Sequence, residues 1–293
     1  MGSTPHLPSK NGDPEVLVSI CIPTYNGATT IAETLKSCIN QTLQKFEIII
    51  SDDNSTDATL NEVQSIDDPR IKILNRETST TPADNWNRAV NAASGHYIKV
   101  LGQDDILFTD CLESEVTVME ENRHLSPSFC FSRRDIIDET GRTLIHARGW
   151  KPKHGLCSFP LAISRIVRSG GNPIGEPVVG LIDSQSLKGT SGYAGSYLID
   201  LNLWIDLLKI GPAIHTDKIL MAFRIGASSW SYQLRRRQTS EMMALINSLR
   251  NSFPHHVSKL DQISGISLAF LKPKLRILII VIARKVSRIS KAN

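Results

Sequence analysis

Between Val16 and Leu101 the hydrophobic pattern switches repeatedly between two periods, and this alternation limits the chain to few folds. The runs VLVSICI (16–22) and FEIIIS (46–51) are short, continuous and β-branched, as strands covered on both faces must be. Between them Ile31, Leu35, Cys38 and Ile39 recur at helical spacing. RIKIL (70–74) and YIKVL (97–101) predict a third and a fourth strand. Asp57 is placed to cap a helix carrying Leu60 and Val63. A further helix is announced by Thr81 as N-cap, Pro82 at its first position, Asp84 in the first turn and Gly95 past its end. Strand alternating with helix four times predicts an α/β domain, Rossmann-like, with a mainly parallel central sheet flanked by helices.

Ligands of such sheets bind beyond the carboxyl ends of the strands. Three polar stretches fall there: PTYN (23–26), DDNSTD (52–57) and GQDD (102–105). Carboxylates this close raise one another's pKa unless something positive sits between them. Two acidic clusters at one mouth therefore point to a divalent cation and a polyanion, with Mg²⁺ or Mn²⁺ taking hard oxygen ligands. No GxxxxGK[ST] occurs, which argues against a P-loop enzyme, and no GxGxxG follows the first strand, which argues against a dinucleotide oxidoreductase.

The second half is less regular. DIIDETGRTLI (135–145) predicts a hairpin turning at Glu139, Thr140 and Gly141, and SGGNPIGEPVVG (169–180) a Gly/Pro-rich loop. Residues 195–211 read as a helix with Leu201, Trp204, Ile205 and Leu208 on one face and Gly211 at its end. With 293 residues, 41% apolar and 21% charged, the chain has the composition of a globular protein of one large domain, or of one domain with an appendage. Residues 1–15 are polar and rich in Pro and Gly, as a disordered leader would be. The five cysteines have no CxxC spacing and are expected to be reduced, which suits the cytoplasm.

The net charge of +4 is unevenly spread: residues 272–293 hold seven basic and no acidic residues, leaving 26 basic against 29 acidic elsewhere. In that tail Leu275, Leu278, Ile279, Ile282, Val286 and Ile289 recur at helical spacing, and the unbroken apolar run 277–283 is too short to span a bilayer. The tail therefore predicts an interfacial helix on an anionic membrane surface, or a helix packed on the domain or on a second subunit in a homodimer. It lacks the aromatic residues that would stack on bases, so no nucleic acid partner is expected.

VSICIPTYNGATTIAETLKSCINQT, FEIIISDDNSTDAT and GHYIKVLGQDDIL resemble, in order and spacing over about residues 16–110, the successive signatures of family-2 glycosyltransferases with the GT-A fold. Weaker agreement runs to about 230. The resemblance implies a catalytic domain over 16–232, with a nucleotide-sugar half (16–108) and an acceptor half (109–232), followed by a helical extension over 233–293.

It also implies roles. Pro23, Tyr25 and Asn26 match the first donor loop, with Tyr25 packing on the nucleotide base; a buried core tyrosine is the competing reading. Asp53 matches the carboxylate that meets the base edge, with Asp52 a reserve candidate or a turn cap. The metal motif Asp-x-Asp-Asp appears with Gly102 in place of its first acid, leaving Asp104 and Asp105 for the cation and Asp104 near the donor sugar. The family's general base matches Asp200, four residues before Trp204, with Ile199 replacing the preceding acid. Glu176 is the reserve base, and Arg224 matches a residue facing the diphosphate.

The implied activity is an inverting, metal-dependent transfer of a hexosyl or deoxyhexosyl group from a nucleotide-diphosphate sugar to a hydroxyl. The acceptor is expected to be a cell-surface glycan precursor or lipid-linked glycan at the inner face of the membrane. A non-catalytic sugar-nucleotide-binding protein of the same fold is the alternative, supported by the departures at Gly102 and Ile199. A sugar nucleotidyltransferase would carry a Gly-rich, Arg-containing loop after the first strand, which PTYNGATT is not.

Overall fold

The computed structural model describes residues 16–226 and 235–272. Residues 1–15, 227–234 and 273–293 lie outside the described residues, and with them the expected leader and nearly all of the expected basic tail helix.

The predicted alternation is present. Strands β1 (Val18–Thr24), β2 (Phe46–Asp52), β3 (Ile71–Leu74) and β4 (Tyr97–Val100) are separated by helices α1 (Ile31–Ile39), α2 (Thr59–Gln64) and α3 (Pro82–Asn91). These four strands pair in parallel in the order β3-β2-β1-β4. β1, β2 and β4 are buried throughout, which explains their unbroken apolar runs. Thr81 caps α3 by accepting the Asp84 N–H. Gly95, however, is not the end signal of α3, which stops at Asn91. It marks instead the close crossing of the chain over β1, since a Cβ there would lie 2.6 Å from the Ser19 nitrogen.

The other half departs from a mainly parallel sheet. The sheet continues from β4 through β9 (Gly180–Asp183), β6 (Phe129–Ile137) and β10 (Ala213–Arg224) to β5 (Ile106–Leu107), with β7 (Thr143–Arg148) on β6 and β8 (Leu156–Cys157) on β10. β9 runs antiparallel to both β4 and β6. It starts opposite Phe131, early in β6, and runs back to reach Tyr97, the first residue of β4, at Asp183, whereas a parallel return needs a crossover of a dozen or more residues. The expected hairpin is β6–β7. The sheet is mixed.

Helices α4 (Cys111–Glu121), α5 (Phe159–Ser169), α6 (Ser184–Lys188), α7 (Ile199–Ile210), α8 (Arg235–Ser252) and α9 (259–272) complete the described chain. α7 starts later than position 195, because Gly192 and Gly195 adopt φ of +71° and +96°, which a helix does not admit. It is apolar on two sides. Leu203, Trp204, Leu207 and Leu208 enter the main core between sheet and helices. Leu201 and Ile205 enter a second core with Ile163, Ile166 and Val167 of α5, Met242, Ile246 and Leu249 of α8, and Ala269 of α9. All five cysteines are buried as free thiols. No helix among the described residues is long and apolar enough to cross a membrane.

Candidate active site

β1, β2 and β4 end side by side, so the loops that follow them open on one rim. Thr24 stands opposite Asp52, and Cys21 opposite Val100. Pro23 is buried in the last turn of β1, while Tyr25 just beyond is 52% exposed. The core-tyrosine reading therefore does not hold. Gln103 fixes the Tyr25 backbone: its Oε1 accepts the Tyr25 N–H at 2.8 Å and its Nε2 donates to the Tyr25 carbonyl at 3.0 Å. Asn26 adopts φ of +50°, a left-handed conformation that asparagine tolerates better than most residues. Its Oδ1 accepts the Thr56 N–H at 2.8 Å, and its own N–H donates to Ser55 Oγ at 2.9 Å. The first loop thus touches both others.

The acidic stretch divides its labour. Asp52 accepts the Ser55 N–H (2.9 Å) and hydroxyl (2.6 Å) and the Thr24 hydroxyl (3.2 Å), and so builds the turn. Asp57 lies just before the start of α2 and accepts the N–H groups of Thr59 (2.9 Å) and Ala28 (3.1 Å). These bonds hold its carboxyl below the usual range against a burial contribution of opposite sign. Asp53, 7% exposed, accepts the Thr80 N–H at 3.0 Å and the Thr80 hydroxyl at 2.9 Å, which ties in the loop after β3. Arg88 of α3 donates to the Asp52 carbonyl at 3.3 Å, and Arg76, Asp53 and Asp52 all act on its guanidinium.

In the GQDD loop, the hydroxyl of Thr34 from α1 lies 2.9 Å from both the Gln103 and the Asp105 carbonyl. Asp105 is buried and Asp104 half-buried. Burial raises the pKa of both; for Asp105 it is followed by repulsion from Asp104 and, more weakly, from Glu176. A Cβ at Gly102 would sit 2.8 Å from Asp105 Oδ2 and 3.1 Å from Asp104 Oδ1, so one carboxylate oxygen of each converges on the space the missing side chain leaves. This donor pair fits a hard divalent cation that takes its remaining ligands from phosphate and water. No cluster of three or more metal-ligating side chains exists among the described residues.

Arg224 is 5% exposed. Its N–H donates to Asp105 Oδ1 (3.1 Å), its Nε to the Asp104 carbonyl (2.8 Å) and its terminal nitrogens to Glu33 (2.6 Å) and the Asp138 carbonyl (3.2 Å). The guanidinium is thus committed to protein groups, and Arg224 clamps the aspartate pair, Asp105 through its backbone N–H and Asp104 through Nε.

Asp200 lies in the first turn of α7. Its Oδ1 accepts the Leu201 N–H at 2.8 Å, and its Oδ2 accepts from Asn172 Nδ2 at 3.0 Å. Burial, and then Glu176, push its pKa up to about 7, against those two hydrogen bonds. Asn172 also donates to the Gly175 carbonyl at 2.6 Å and accepts the N–H groups of Ile174 and Gly175. Trp204 donates to the same carbonyl at 3.0 Å and stacks on Phe129 with centroids 4.7 Å apart. Glu176 is ion-paired with buried Arg134. It acts electrostatically on both Asp105 and Asp200, and so connects the two halves of the site. Ile199 is 2% exposed in the main core, where an acid would have no partner.

Sequence reasoning assigned nothing to Gln103, Thr34, Thr80, Asn172, Arg88 or Arg134. Gln103 was the most accessible of these, since it lies inside the GQDD loop itself, between Gly102 and Asp104. The others become visible only when the loops are folded together.

Residues 19–175 match the family described as Glycosyl transferase family 2. The chain is 36% identical over 219 residues to WfgD of Escherichia coli, a UDP-Glc:alpha-D-GlcNAc-diphosphoundecaprenol beta-1,3-glucosyltransferase, covering 74% of this chain and 80% of that protein. It is 37% identical to WfaP of Escherichia coli, which bears the same description, over 73% of this chain and 80% of that one. Among solved structures, S. aureus TarS 1-349 in complex with UDP-GlcNAc superposes with a TM-score of 0.59 at 18% identity, over 86% of this chain and 79% of that one. The mannosyltransferase PcManGT from Pyrobaculum calidifontis, in complex with GDP-Man and Mn2+, gives 0.60 at 14% identity over 93% and 80%. Both share the fold of this chain. The family matched over more than half of the sequence and the two relatives aligned over most of it place this chain in glycosyltransferase family 2, as a glycosyltransferase.

Proposed function

We propose that this glycosyltransferase moves a sugar, with inversion, from a nucleotide-diphosphate donor to a hydroxyl of a lipid-linked acceptor in cell-surface glycan synthesis. The observation that carries the reading is the bonding of three strand-end loops into one rim through Gln103–Tyr25 and Asn26–Thr56. In this reading Tyr25 offers its exposed ring to the base, and Asp53, held by Thr80, meets the base edge. Asp104 and Asp105 would hold Mg²⁺ or Mn²⁺, which when bound would supply positive charge against the departing diphosphate. Arg224 keeps those two carboxylates in place through its bonds to Asp105 Oδ1 and the Asp104 carbonyl. Asn172 and the Leu201 N–H orient Asp200, which takes the acceptor hydroxyl proton as that oxygen attacks the anomeric carbon. Glu176, ion-paired with Arg134, stays negative and so supports the raised pKa of Asp200, and is not needed as the base.

The acceptor class rests on what the relatives named above act on, and the seven basic residues of 272–293 suit a peripheral place on an anionic membrane surface. A panel of nucleotide sugars with a prenyl-diphosphate-linked sugar acceptor tests the reading. Turnover should vanish with chelator and return with Mn²⁺, and Asp200→Asn should lower kcat by about 10²–10⁴. The anomeric proton coupling of the product should report inversion. Full activity in chelator would remove the metal from the scheme, and retained activity in Asp200→Asn would remove the base.

A further inference from the structure

Glu176 stands in the loop that holds Asp200, and the local sequence pins it there. Asn172 closes a turn onto the Ile174 and Gly175 N–H groups and the Gly175 carbonyl, and the same side chain reaches Asp200 Oδ2. Ile174 on one side of Glu176, and Val178 and Val179 on the other, are buried in the main core. Pro177 restricts Glu176 to the extended backbone it shows, with φ of −68° and ψ of 161°. The side chain is 29% exposed, and its Oε2 is buried against the guanidinium of Arg134, itself 3% exposed. Glycine at 175 makes room for that contact: it adopts φ of +130°, and a Cβ there would lie 2.8 Å from Arg134 Nη1. In β6 Arg134 stands opposite Met221, and Ile137 opposite Arg224, so the ion pair lies about 10 Å along the strand from the residue that clamps Asp105. Glu176 is thus a second carboxylate between the aspartate pair and Asp200, in a chain whose position 199 supplies none.

We propose that Glu176, held by Arg134, accepts a hydrogen bond from the acceptor-sugar hydroxyl next to the one that Asp200 deprotonates, and so selects which hydroxyl receives the sugar. An ionised carboxylate only accepts hydrogen bonds, and the donors an acceptor sugar brings are its hydroxyls. Neighbouring hydroxyls on one ring suit two carboxylates held by one loop. The loop bonds directly to Asp200 and not to the aspartate pair, which favours the acceptor over the donor sugar. The assignment rests on the reading of Asp200 as the base and adds the group that orients the substrate before it.

The test is calorimetric binding of farnesyl-diphosphate-linked N-acetylglucosamine and its monodeoxy analogues, in excess UDP and Mn²⁺, to the full chain and its E176A variant. It is run at about pH 8.5, where Asp200 is ionised in both proteins. The full chain should bind the parent sugar at least about tenfold more tightly than E176A does, the size of one lost charge-assisted contact. One monodeoxy analogue, lacking the hydroxyl beside the accepting one, should bind both proteins alike. A merely structural role would weaken every analogue by the same factor, and that result would overturn the proposal. So would a panel in which no sugar distinguishes the two proteins, or an effect confined to the affinity for the donor. If E176A does not fold, R134M/E176A carries the test, because it removes both charges and strands no buried cation; the same pattern is expected of it. Asp200→Asn separates the two readings. Surviving transfer in that variant, with the deoxy pattern intact, sinks the base and keeps the role of Glu176. Abolished transfer with no deoxy pattern sinks the role of Glu176 alone.

Discussion

Asp200 shows what a reactive carboxyl costs the residue that bears it. Its pKa rises from the ordinary 3.8 to about 7 because burial, and then Glu176, disfavour the anion. In the proposed role of base it must be ionised, so kcat/KM should climb as pH rises through about 7 and level off above. Asn172→Ala removes a hydrogen bond that lowers this pKa and should move the limb to higher pH, an effect that simple unfolding would not produce. Stability runs the other way. A folded-state pKa above the unfolded one leaves the fold unpenalised below pH 4 and progressively penalised up to about 7, by as much as about 4 kcal/mol. Asp200→Asn should therefore raise Tm at pH 8 but not at pH 4, by less than that ceiling because its new amide opposes Asn172. Equal Tm changes at both pH values would contradict the burial argument. Gly102 gives a second residue-scale prediction. Restoring the family's acid with Gly102→Asp places a Cβ 2.8 Å from Asp105 Oδ2 and a third anion beside two. Thermal unfolding should then show a loss of about 1–3 kcal/mol, as for other overpacked sites, and no gain in donor affinity.

At the scale of elements, the site depends on loops that one side chain holds to another. Gln103→Ala breaks both bonds to the Tyr25 backbone and should raise the donor KM several-fold with little effect on Tm, because Gln103 lies at the rim and outside either core. A fall in Tm with an unchanged donor KM would mean that the loop is held otherwise. Under the rim, Lys99 of β4 and Glu115 of α4 form a fully buried ion pair at 2.7 Å. Removing one partner strands the other, so Glu115→Gln should cost about 3–5 kcal/mol in denaturant unfolding. Elements built on local signals were legible in the sequence: β1 to β4 from their apolar runs, and α3 from the Thr81 cap and Pro82. The late start of α7 was hidden by its apolar period, which runs through the glycine turn before it. The Gly95 signal misled because a glycine at a close crossing and a glycine at a helix end look alike in sequence.

At the scale of the whole molecule, the sheet direction and the second core were beyond sequence reasoning, for related reasons. The direction of β9 follows from where its preceding loop sits, and that is set by contacts such as Glu176–Arg134 across more than forty residues. The second core joins α5, α7, α8 and α9, and no periodicity reveals which helix faces meet. The proposed donor-side residues, by contrast, lie directly after strands that announce themselves, so order alone places Tyr25, Asp53, Asp104 and Asp105 at the strand ends. The second core also bears on the proposed division between a catalytic domain ending near 232 and a helical extension. Leu201 and Ile205 sit on the helix that carries Asp200, and the extension covers them through Met242, Ile246 and Leu249. A chain truncated after residue 234 would expose that face and loosen α7, whereas one truncated after 272 keeps the core whole. Calorimetry should show a low or absent cooperative transition for the first and a near-native Tm for the second. Hydrogen exchange in α7 should be fast only in the first. A shorter chain with a native transition and a protected α7 would mean that residues 16–232 fold without the extension.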